Sequence, residues 1–368
     1  DSDTQHGAVI PPLYLSSNFS FEGFGKPRPY DYTRSGNPTR DQLAEAIAAL
    51  EGGTGGVITA TGMAAVHLVT QLVQPGETLV AAKDCYGGCH RLFTNVSKRG
   101  LFDLAWLPLW ETEESVARIL EMKPKIVWIE TPSNPLLRIT DIEAIAAAAH
   151  EAGALVVADN TFLSPAGQSP LELGADIVLH STTKYINGHS DVVGGAVVAK
   201  DPELVEELAW WANCLGITGS PFDSFQTMRG LRTLNVRFRQ HEENAAAVVE
   251  FLEGHPRVEK VYYPGLASHP GHATAARQQK SFGAMISFEL KGDDSAVPAF
   301  LEQLQLFTLA ESLGGVESLV AHPCTMTHAA MTMEDHAAAG LSSRLLRLSI
   351  GIEHAGDLIA DLERGFNA

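Results

Sequence analysis

The chain has 368 residues, of which 45% are hydrophobic and 19% charged, a balance typical of a folded globular protein and not of a disordered one. A formal net charge of −18 excludes an electrostatic affinity for nucleic acid or for an anionic membrane. A substrate that carries carboxylates therefore needs local cations in its binding site.

The four cysteines are too few and too irregularly spaced for a disulfide scaffold. Cys85 and Cys89 resemble a zinc half-site, but a structural zinc needs a second ligand pair and the other two cysteines stand apart, so we expect no metal. The sequence begins at Asp1 without a basic and apolar signal segment, and no run approaches the roughly 20 apolar residues of a membrane helix. We therefore expect a cytoplasmic protein that binds neither membrane nor nucleic acid.

Residues 1–48 contain a Gly, Pro and aromatic stretch with little periodicity, which predicts an extended arm. Such an arm is rich in aromatic side chains that water solvates poorly, so we expect it to lie on another subunit. The residues concerned are Phe19, Phe21, Phe24, Tyr30 and Tyr32.

Two helices are predicted next. The pattern TRDQLAEAIAALEGG indicates an amphipathic helix that glycines terminate, and VITATGMAAVHLVTQL changes from strand to helix near Thr61. Gly62 and Met63 stand where this second helix begins, so their N–H groups and the helix dipole can bind an anion. We assign both to a phosphate cradle, although a simple helix cap accounts for the same residues.

A strand, a turn and a helix are predicted in ETLVAAKDCYGGCHRLF. From residue 125 to residue 181 the strands alternate with a helix and then with a linker of helix length. This alternation predicts a mostly parallel sheet with helices on both faces and a pocket at the carboxyl ends of the strands. Tyr86 lies in a turn after the first of these strands and is expected over the pocket. Asn134 follows a later strand in the segment ETPSNP, and Asp159 ends the strand LVVAD.

Lys184 follows the apolar strand IVLHS in a turn rich in Gly, Asn, His and Ser. Burial lowers the pKa of such a lysine and makes its neutral amine available as a nucleophile toward carbonyls. A pyridoxal phosphate (PLP) enzyme needs a lysine for the Schiff base, a carboxylate at the pyridine nitrogen and donors for the phosphate. Lys184, Asp159 and the hydroxyls of Ser181 and Thr183 supply all three.

The remaining sequence predicts a further strand in GGAVVAK, a helix in DPELVEELAWWANCLG and a long, loosely broken helical pattern over 222–255. We place a domain boundary near residue 242, which divides the chain into an arm (1–48), a PLP-binding domain (49–242) and a smaller α+β domain (243–368). In the last domain Arg347 alternates with leucines, so it lies either on the surface or in a site where its fork holds a carboxylate.

Many separate motifs together resemble the transsulfuration family of PLP enzymes, the cystathionine synthases and lyases. They include YDYTRSGNPTRD, ITATGMAA, DCYGG, ETPSNPLL, VVADNTF, HSTTKYINGHSD, FTLAESLGGVESL and LLRLSIGIE. The resemblance runs from Gly7 to the C-terminus and implies an aminotransferase-like fold. It also implies a short segment with a Met before the position of Gly7, so we expect residues to precede Asp1.

The resemblance adds roles for individual residues. It implies that Tyr32 and Arg34 reach the cofactor phosphate of a neighbouring active site, in a homotetramer built from dimers. It implies that Tyr86 stacks on the pyridine ring, that Asn134 contacts the phenolic oxygen, and that Ser312 meets the substrate's α-carboxylate. It also implies that Glu311 recognises the distal end of the substrate.

Arg91 follows Tyr86 by about one helical turn. It either keeps Tyr86 ionisable, or binds a distal carboxylate, or faces solvent, and the sequence leaves these three alternatives open.

Within the family, the motifs are most similar to the γ-synthase group. This implies replacement of the acyl group of O-succinylhomoserine or O-acetylhomoserine by cysteine, a step of methionine biosynthesis, with γ-lyase activity as the alternative. A non-catalytic PLP-binding regulator would carry a DNA-binding segment or lack the lysine or the aspartate, and neither feature is seen. P-loop, HExxH and GxSxG motifs are also absent, which removes the commonest nucleotide-binding, metalloprotease and serine-hydrolase interpretations.

Overall fold

The computed structural model describes residues 3, 5–327 and 339–367. Its N-terminal arm, up to Asn37, contains no regular helix or strand; single bridges such as Asn18 with Tyr32 fold it back on itself. The first helix, α1 (Pro38–Glu51), begins where the side chain of Asn37 caps the N–H groups of Thr39 and Arg40.

A seven-stranded sheet forms the centre of the larger part of the molecule, in the order β1-β7-β6-β5-β4-β2-β3. Only β7 runs antiparallel to its neighbours. Every residue of β4 and β7 is buried, because helices cover both faces of the sheet. The strands are β1 (Gly55–Thr59), β2 (Thr78–Ala82), β3 (Asp103–Leu107), β4 (Ile126–Glu130), β5 (Leu155–Asp159), β6 (Ile177–Ser181) and β7 (Gly195–Ala199). The predicted mostly parallel α/β sheet is thus confirmed.

Helices connect these strands. They are α2 (Gly62–Val69), α3 (Gly87–Lys98), α4 (Thr112–Met122), α5 (Ile142–Glu151), α6 (Ser164–Gly167) and α7 (Pro202–Leu215). The connection between β5 and β6 was expected to be helix-length, and it holds only the four-residue α6, followed by irregular chain. The apolar face of each longer helix packs on the sheet and forms one large core with it.

The long helical pattern over 222–255 consists of two helices, α8 (Pro221–Leu231) and α9 (Leu234–Gly254). They are separated at Arg232 and Thr233, where no side chain caps the start of α9. The domain boundary predicted near residue 242 falls inside α9, and it stays a prediction.

A second sheet of five strands follows, in the order β10-β11-β12-β9-β8. Its strands are β8 (Val258–Tyr262), β9 (Met285–Leu290), β10 (Thr308–Leu309), β11 (Leu319–Ala321) and β12 (Leu345–Ser349). Helices α10 (His272–Gln278), α11 (Ala296–Gln303) and α12 (Ala355–Phe366) accompany it, and α9, α11 and α12 share its core. Among the residues described, no helix is both long and apolar enough to cross a membrane.

Candidate active site

A cavity of about 390 Å³ opens at the carboxyl ends of β4, β5 and β6, which are adjacent in the large sheet. Glu130, Asp159 and Ser181 are the last residues of these strands, and all three line the cavity. The lining also includes predicted site residues from other elements, namely Gly62, Met63, Tyr86, Asn134, Thr183, Lys184, Glu311, Ser312 and Arg347. Distant parts of the chain thus converge at one edge of the sheet.

Lys184 lies in the turn after β6, and its Nζ donates a hydrogen bond to Ser312 Oγ at 2.6 Å. Burial, and next the positive charge of Arg347, lower the pKa of Lys184 from 10.5 to about 8, against the opposing charge of Glu311. A substantial fraction of this amine is therefore neutral near neutral pH, as a nucleophile or base requires.

Asp159 faces the same cavity from the end of β5. Its Oδ1 accepts the backbone N–H of Thr161 at 3.0 Å. Burial raises the pKa of Asp159, whereas the hydrogen bonds from Thr161 and the charge of His180 lower it. A cationic ring nitrogen placed at this carboxylate would compensate the cost of burial.

Glu130 begins the segment ETPSNP and lines the cavity, but the sequence patterns assign it no role. It is the register partner of Asp159 on the neighbouring strand, and its Oε2 accepts the backbone N–H of Tyr86 at 2.6 Å. Burial, and next the charge of Asp159, raise the pKa of Glu130 well above its usual range. Its position at the end of β4 matches that of Asp159 at the end of β5, and this signal could have identified it.

Tyr86 precedes α3 and lies at the mouth of the cavity with 45% of its surface exposed. Burial of its ring raises the pKa of its phenol, and the charge of Arg91 opposes that shift. Arg91 itself is exposed and lies outside the cavity lining. Arg91 therefore faces solvent, and its charge favours an ionised Tyr86. Its binding of a distal carboxylate stays a prediction.

Helix α2 begins at the cavity beside β6. A Cβ added to Gly62 would lie 2.9 Å from Ser181 Cβ, so the glycine permits a close approach of the two elements. Thr61 caps the N–H of Ala64, and the first N–H groups of the helix have no partner within the helix. Gly62 and Met63 at the start of α2 line the same cavity as Ser181 and Thr183, which is an arrangement suited to a phosphate.

Arg347 is 3% exposed and lies on β12, so the structure excludes the surface alternative. Its Nη1 donates to Asn134 Oδ1 and its Nη2 to Ser312 O, each at 2.9 Å. Asn134 follows β4 of the large sheet and Arg347 lies on β12 of the second sheet, so both sheets contribute to these contacts. The guanidinium is held rigidly at the cavity, which suits recognition of a carboxylate.

Ser312 adopts a φ of 86° in the segment that enters this cluster. A left-handed conformation is strained for a residue with a Cβ, and such strain persists where surrounding contacts fix it. Here the contacts are those with Lys184 and Arg347. Glu311 precedes Ser312 and also lines the cavity.

Tyr32 and Arg34 are exposed and do not line this cavity. The Arg34 guanidinium lies over the Tyr32 ring at 5.4 Å, and its Nε donates to Asn213 Oδ1 at 2.9 Å. The structure thus keeps the pair together but apart from the site of its own chain. Their predicted reach into a neighbouring subunit stays a prediction.

Apolar lining residues were also missed by the sequence analysis. Phe162, Val66, Leu179 and Leu313 line the cavity, and so do Cys89 and Thr161. Their sequence context is that of any buried core residue, so only the fold identifies them.

The whole chain is similar to known proteins. Residues 1–367 match the family described as Cys/Met metabolism PLP-dependent enzyme. Cystathionine gamma-synthase of Escherichia coli (strain K12) is 57% identical, with 100% of this chain and 95% of that protein covered. Cystathionine gamma-lyase of Dictyostelium discoideum is 46% identical, with 100% and 95% covered.

The cavity occurs in a fold that solved structures share. Cystathionine gamma synthase from Xanthomonas oryzae pv. oryzae, solved in complex with cystathionine, is 65% identical and superimposes with a TM-score of 0.97. The match covers 99% of this chain and 94% of that one.

Proposed function

The chain belongs to the family of PLP-dependent enzymes of cysteine and methionine metabolism, and on that premise we propose that it catalyses a γ-replacement. The sulfur of cysteine takes the place of the acyloxy group at Cγ of O-succinylhomoserine or O-acetylhomoserine. The products are cystathionine and the released carboxylic acid.

Sequence similarity favours this reaction over γ-elimination. The γ-synthases of Escherichia coli and Xanthomonas oryzae are 57% and 65% identical to the chain, whereas the γ-lyase of Dictyostelium discoideum is 46% identical. The observation that carries the catalytic proposal is the position of Lys184 and Asp159 at the ends of neighbouring strands in one cavity.

The cavity residues fit pyridoxal phosphate. Asp159 offers a buried carboxylate to the pyridine nitrogen, and Lys184 offers an amine to the aldehyde. Gly62 and Met63 at the start of α2 line the cavity with Ser181 and Thr183, and their backbone N–H groups and those hydroxyls suit the phosphate. When bound, the cofactor supplies an electron sink that makes the Cα–H of an amino acid acidic.

Lys184 is the base in this proposal. Its lowered pKa lets it remove the proton at Cα, and its hydrogen bond to Ser312 holds the amine toward the cavity. The same amine then moves a proton at Cβ, so that the acyl carboxylate can leave Cγ with its bonding electrons. The cysteine sulfur bonds to Cγ and its proton is released.

Arg347 holds the α-carboxylate of the substrate through its guanidinium fork, with Asn134 and Ser312 fixing the fork. Glu311 lies beside this fork in the cavity lining and contacts the distal part of the substrate. These local groups provide the binding that the chain's net charge of −18 opposes.

We further propose a homotetramer built from dimers that share active sites. The arm leaves apolar side chains exposed on a single chain, and a second subunit would cover them; they are Val9, Ile10, Leu15, Phe21 and Phe24. We also propose a cytoplasmic location, because the four cysteines are free thiols.

A paired assay tests the reaction. Purified enzyme is supplied with O-succinylhomoserine or O-acetylhomoserine together with cysteine, and cystathionine is measured. Cystathionine alone is supplied in parallel, and cysteine and 2-oxobutyrate are measured. We expect the first reaction to dominate; a strong second reaction with a weak first one would identify a γ-lyase.

A further inference from the structure

A buried polar cluster lies on the far side of the strands that form the cavity. Leu179 and Ser181 of β6 line the cavity, so the side chain of His180 between them points to the opposite face of the sheet. There it meets Glu51, the last residue of α1. Both side chains are at most 1% exposed.

The contacts of the cluster tie three strand ends together. His180 Nε2 lies 2.5 Å from Glu51 Oε1, and the side-chain amide of Asn160, next to Asp159, donates to the same oxygen at 2.9 Å. Gln168 Nε2 donates to Asn160 Oδ1 and to the carbonyl of Thr131, each at 3.2 Å. Thr131, Asn160 and His180 each adjoin a residue that lines the cavity, on β4, β5 and β6 respectively.

The position of Glu51 depends on its contact with His180. Glu51 lies at the C-terminal end of α1, where the helix dipole disfavours a carboxylate and the last turn has no basic residue. Among the described ion pairs, the one that includes Glu51 is its contact with His180. Together with the hydrogen bond from Asn160, this contact holds the Glu51 carboxylate behind the ends of β5 and β6.

The pair leaves part of its hydrogen-bonding capacity unused. Glu51 Oε2 and His180 Nδ1 are buried and make no hydrogen bond to any residue that the structure describes. A buried pair with incomplete hydrogen bonding generally stabilises a fold less than apolar packing does. Such a departure from good packing, directly behind a catalytic cavity, is a reason to look for a functional role.

We propose that Glu51 and His180 are positioning residues for the cofactor: their contact, together with the hydrogen bond from Asn160 to Glu51, fixes the ends of β5 and β6 and so holds the carboxylate of Asp159 toward the pyridine nitrogen. The charge of His180 does lower the pKa of Asp159, against the burial that raises it. The inference rests on the proposed contact between Asp159 and the cofactor ring.

The protonation of the ring nitrogen gives a direct measurement. Enzyme is reconstituted with PLP labelled with ¹⁵N in the pyridine ring, and the ¹⁵N resonance is recorded for wild type, Glu51→Gln and His180→Gln. We expect the wild-type nitrogen to be protonated and both variants to shift toward the unprotonated position. The dissociation constant for PLP should rise roughly tenfold, the size of one charge interaction at a buried group.

Additional variants separate the possible failures. The double variant should shift the ¹⁵N resonance no further than either single variant, because the two residues act as a unit. The double variant also leaves no unpaired charge, so it serves for the test if a single variant does not fold. Asp159→Asn should shift the resonance at least as far. If it does not, the proposed role of Asp159 is wrong; if it does and the Glu51 and His180 variants do not, our inference alone is wrong.

A matched control distinguishes this role from a structural one. Asp361 is also a buried carboxylate, and it accepts the backbone N–H groups of Gln305, Leu306 and Phe307 far from the large sheet. Asp361→Asn should lower the melting temperature without moving the ¹⁵N resonance. If Glu51→Gln also lowers the melting temperature without moving the ¹⁵N resonance, the Glu51–His180 pair only stabilises the fold and our inference is wrong.

Discussion

At Lys184 the fold places an amine where its charged form is poorly solvated. Burial is the main cause of its low pKa, and the neighbouring Arg347 adds to the effect. The same burial that makes the amine reactive costs stability, because folding must dehydrate the ammonium or remove its proton. This trade-off between stability and activity is common at catalytic sites.

We therefore expect Lys184→Met to stabilise the cofactor-free protein at pH 7. A pKa that falls from 10.5 to about 8 corresponds to about 3 kcal/mol. Between these two pH values the unfolded chain holds the proton that the folded chain has lost, so wild-type stability rises with pH through this window. The cost is fully present below about pH 8 and disappears above 10.5.

Urea denaturation of both cofactor-free proteins between pH 7 and pH 10.5 measures this difference. The advantage of the methionine variant should shrink as the pH rises. A constant difference, or none at pH 7, would contradict the assignment of a destabilised ammonium at Lys184.

Arg347 illustrates how a buried cation is fixed by two different partners. A lysine in its place could not donate to Asn134 and to the Ser312 carbonyl while also presenting a planar fork to a carboxylate. We expect Arg347→Lys to lower kcat/KM for the amino-acid substrate by roughly 10- to 100-fold, mainly through KM, with the PLP content unchanged.

Steady-state kinetics and the absorbance of the bound cofactor test this prediction. Arg118→Lys serves as the control, because Arg118 lies on the exposed face of α4 and pairs only with Glu121 among the described ion pairs. Unchanged KM in Arg347→Lys would remove Arg347 from the substrate site.

At the scale of elements, the start of α2 depends on a glycine. Its neighbour β6 is so close that an added Cβ at Gly62 would contact Ser181 Cα at 3.1 Å as well as Ser181 Cβ. The backbone of β6 is held by its pairing with β5 and β7, so α2 has to move instead.

We expect Gly62→Ala to displace the first turn of α2 and to weaken PLP binding, measured as a higher dissociation constant for the cofactor. Gly254→Ala is the matched control, since an added Cβ at the end of α9 meets no atom within 4 Å. The prediction fails if both variants retain the cofactor equally well.

At the scale of the whole molecule, the site requires both sheets. Lys184 and Asn134 come from the large sheet side, whereas Ser312 and Arg347 come from the side of the second sheet. Ser287 on β9 also donates to the carbonyl of Pro135 at 2.6 Å. These bonds couple the substrate contacts to the packing of the two sheets.

The proposed sharing of sites between subunits predicts complementation. Arg34→Ala should weaken PLP retention and Lys184→Ala should abolish activity. If Arg34 acts on a neighbouring site, a hybrid dimer has one site with both defects and one with none, so an equal mixture should recover activity at about a quarter of all sites.

Refolding the two variants together and assaying γ-replacement measures this recovery, with each variant refolded alone as the control. If the mixture is no more active than its components, Arg34 does not act across subunits.

The sequence by itself determined the α/β order, the family and the residues with distinctive chemistry. The reason is that an apolar strand ending in Asp159 or Ser181 forms a pattern within a few consecutive residues. For Arg347 the sequence left a surface position and a site position open, because alternation with leucines predicts a strand face but not what covers it. Thr161 and the Glu51–His180 pair were decided by the tertiary structure alone. Their roles depend on which strand ends adjoin and which helix packs behind them, and burial and charge pairing of that kind arise only when distant segments meet.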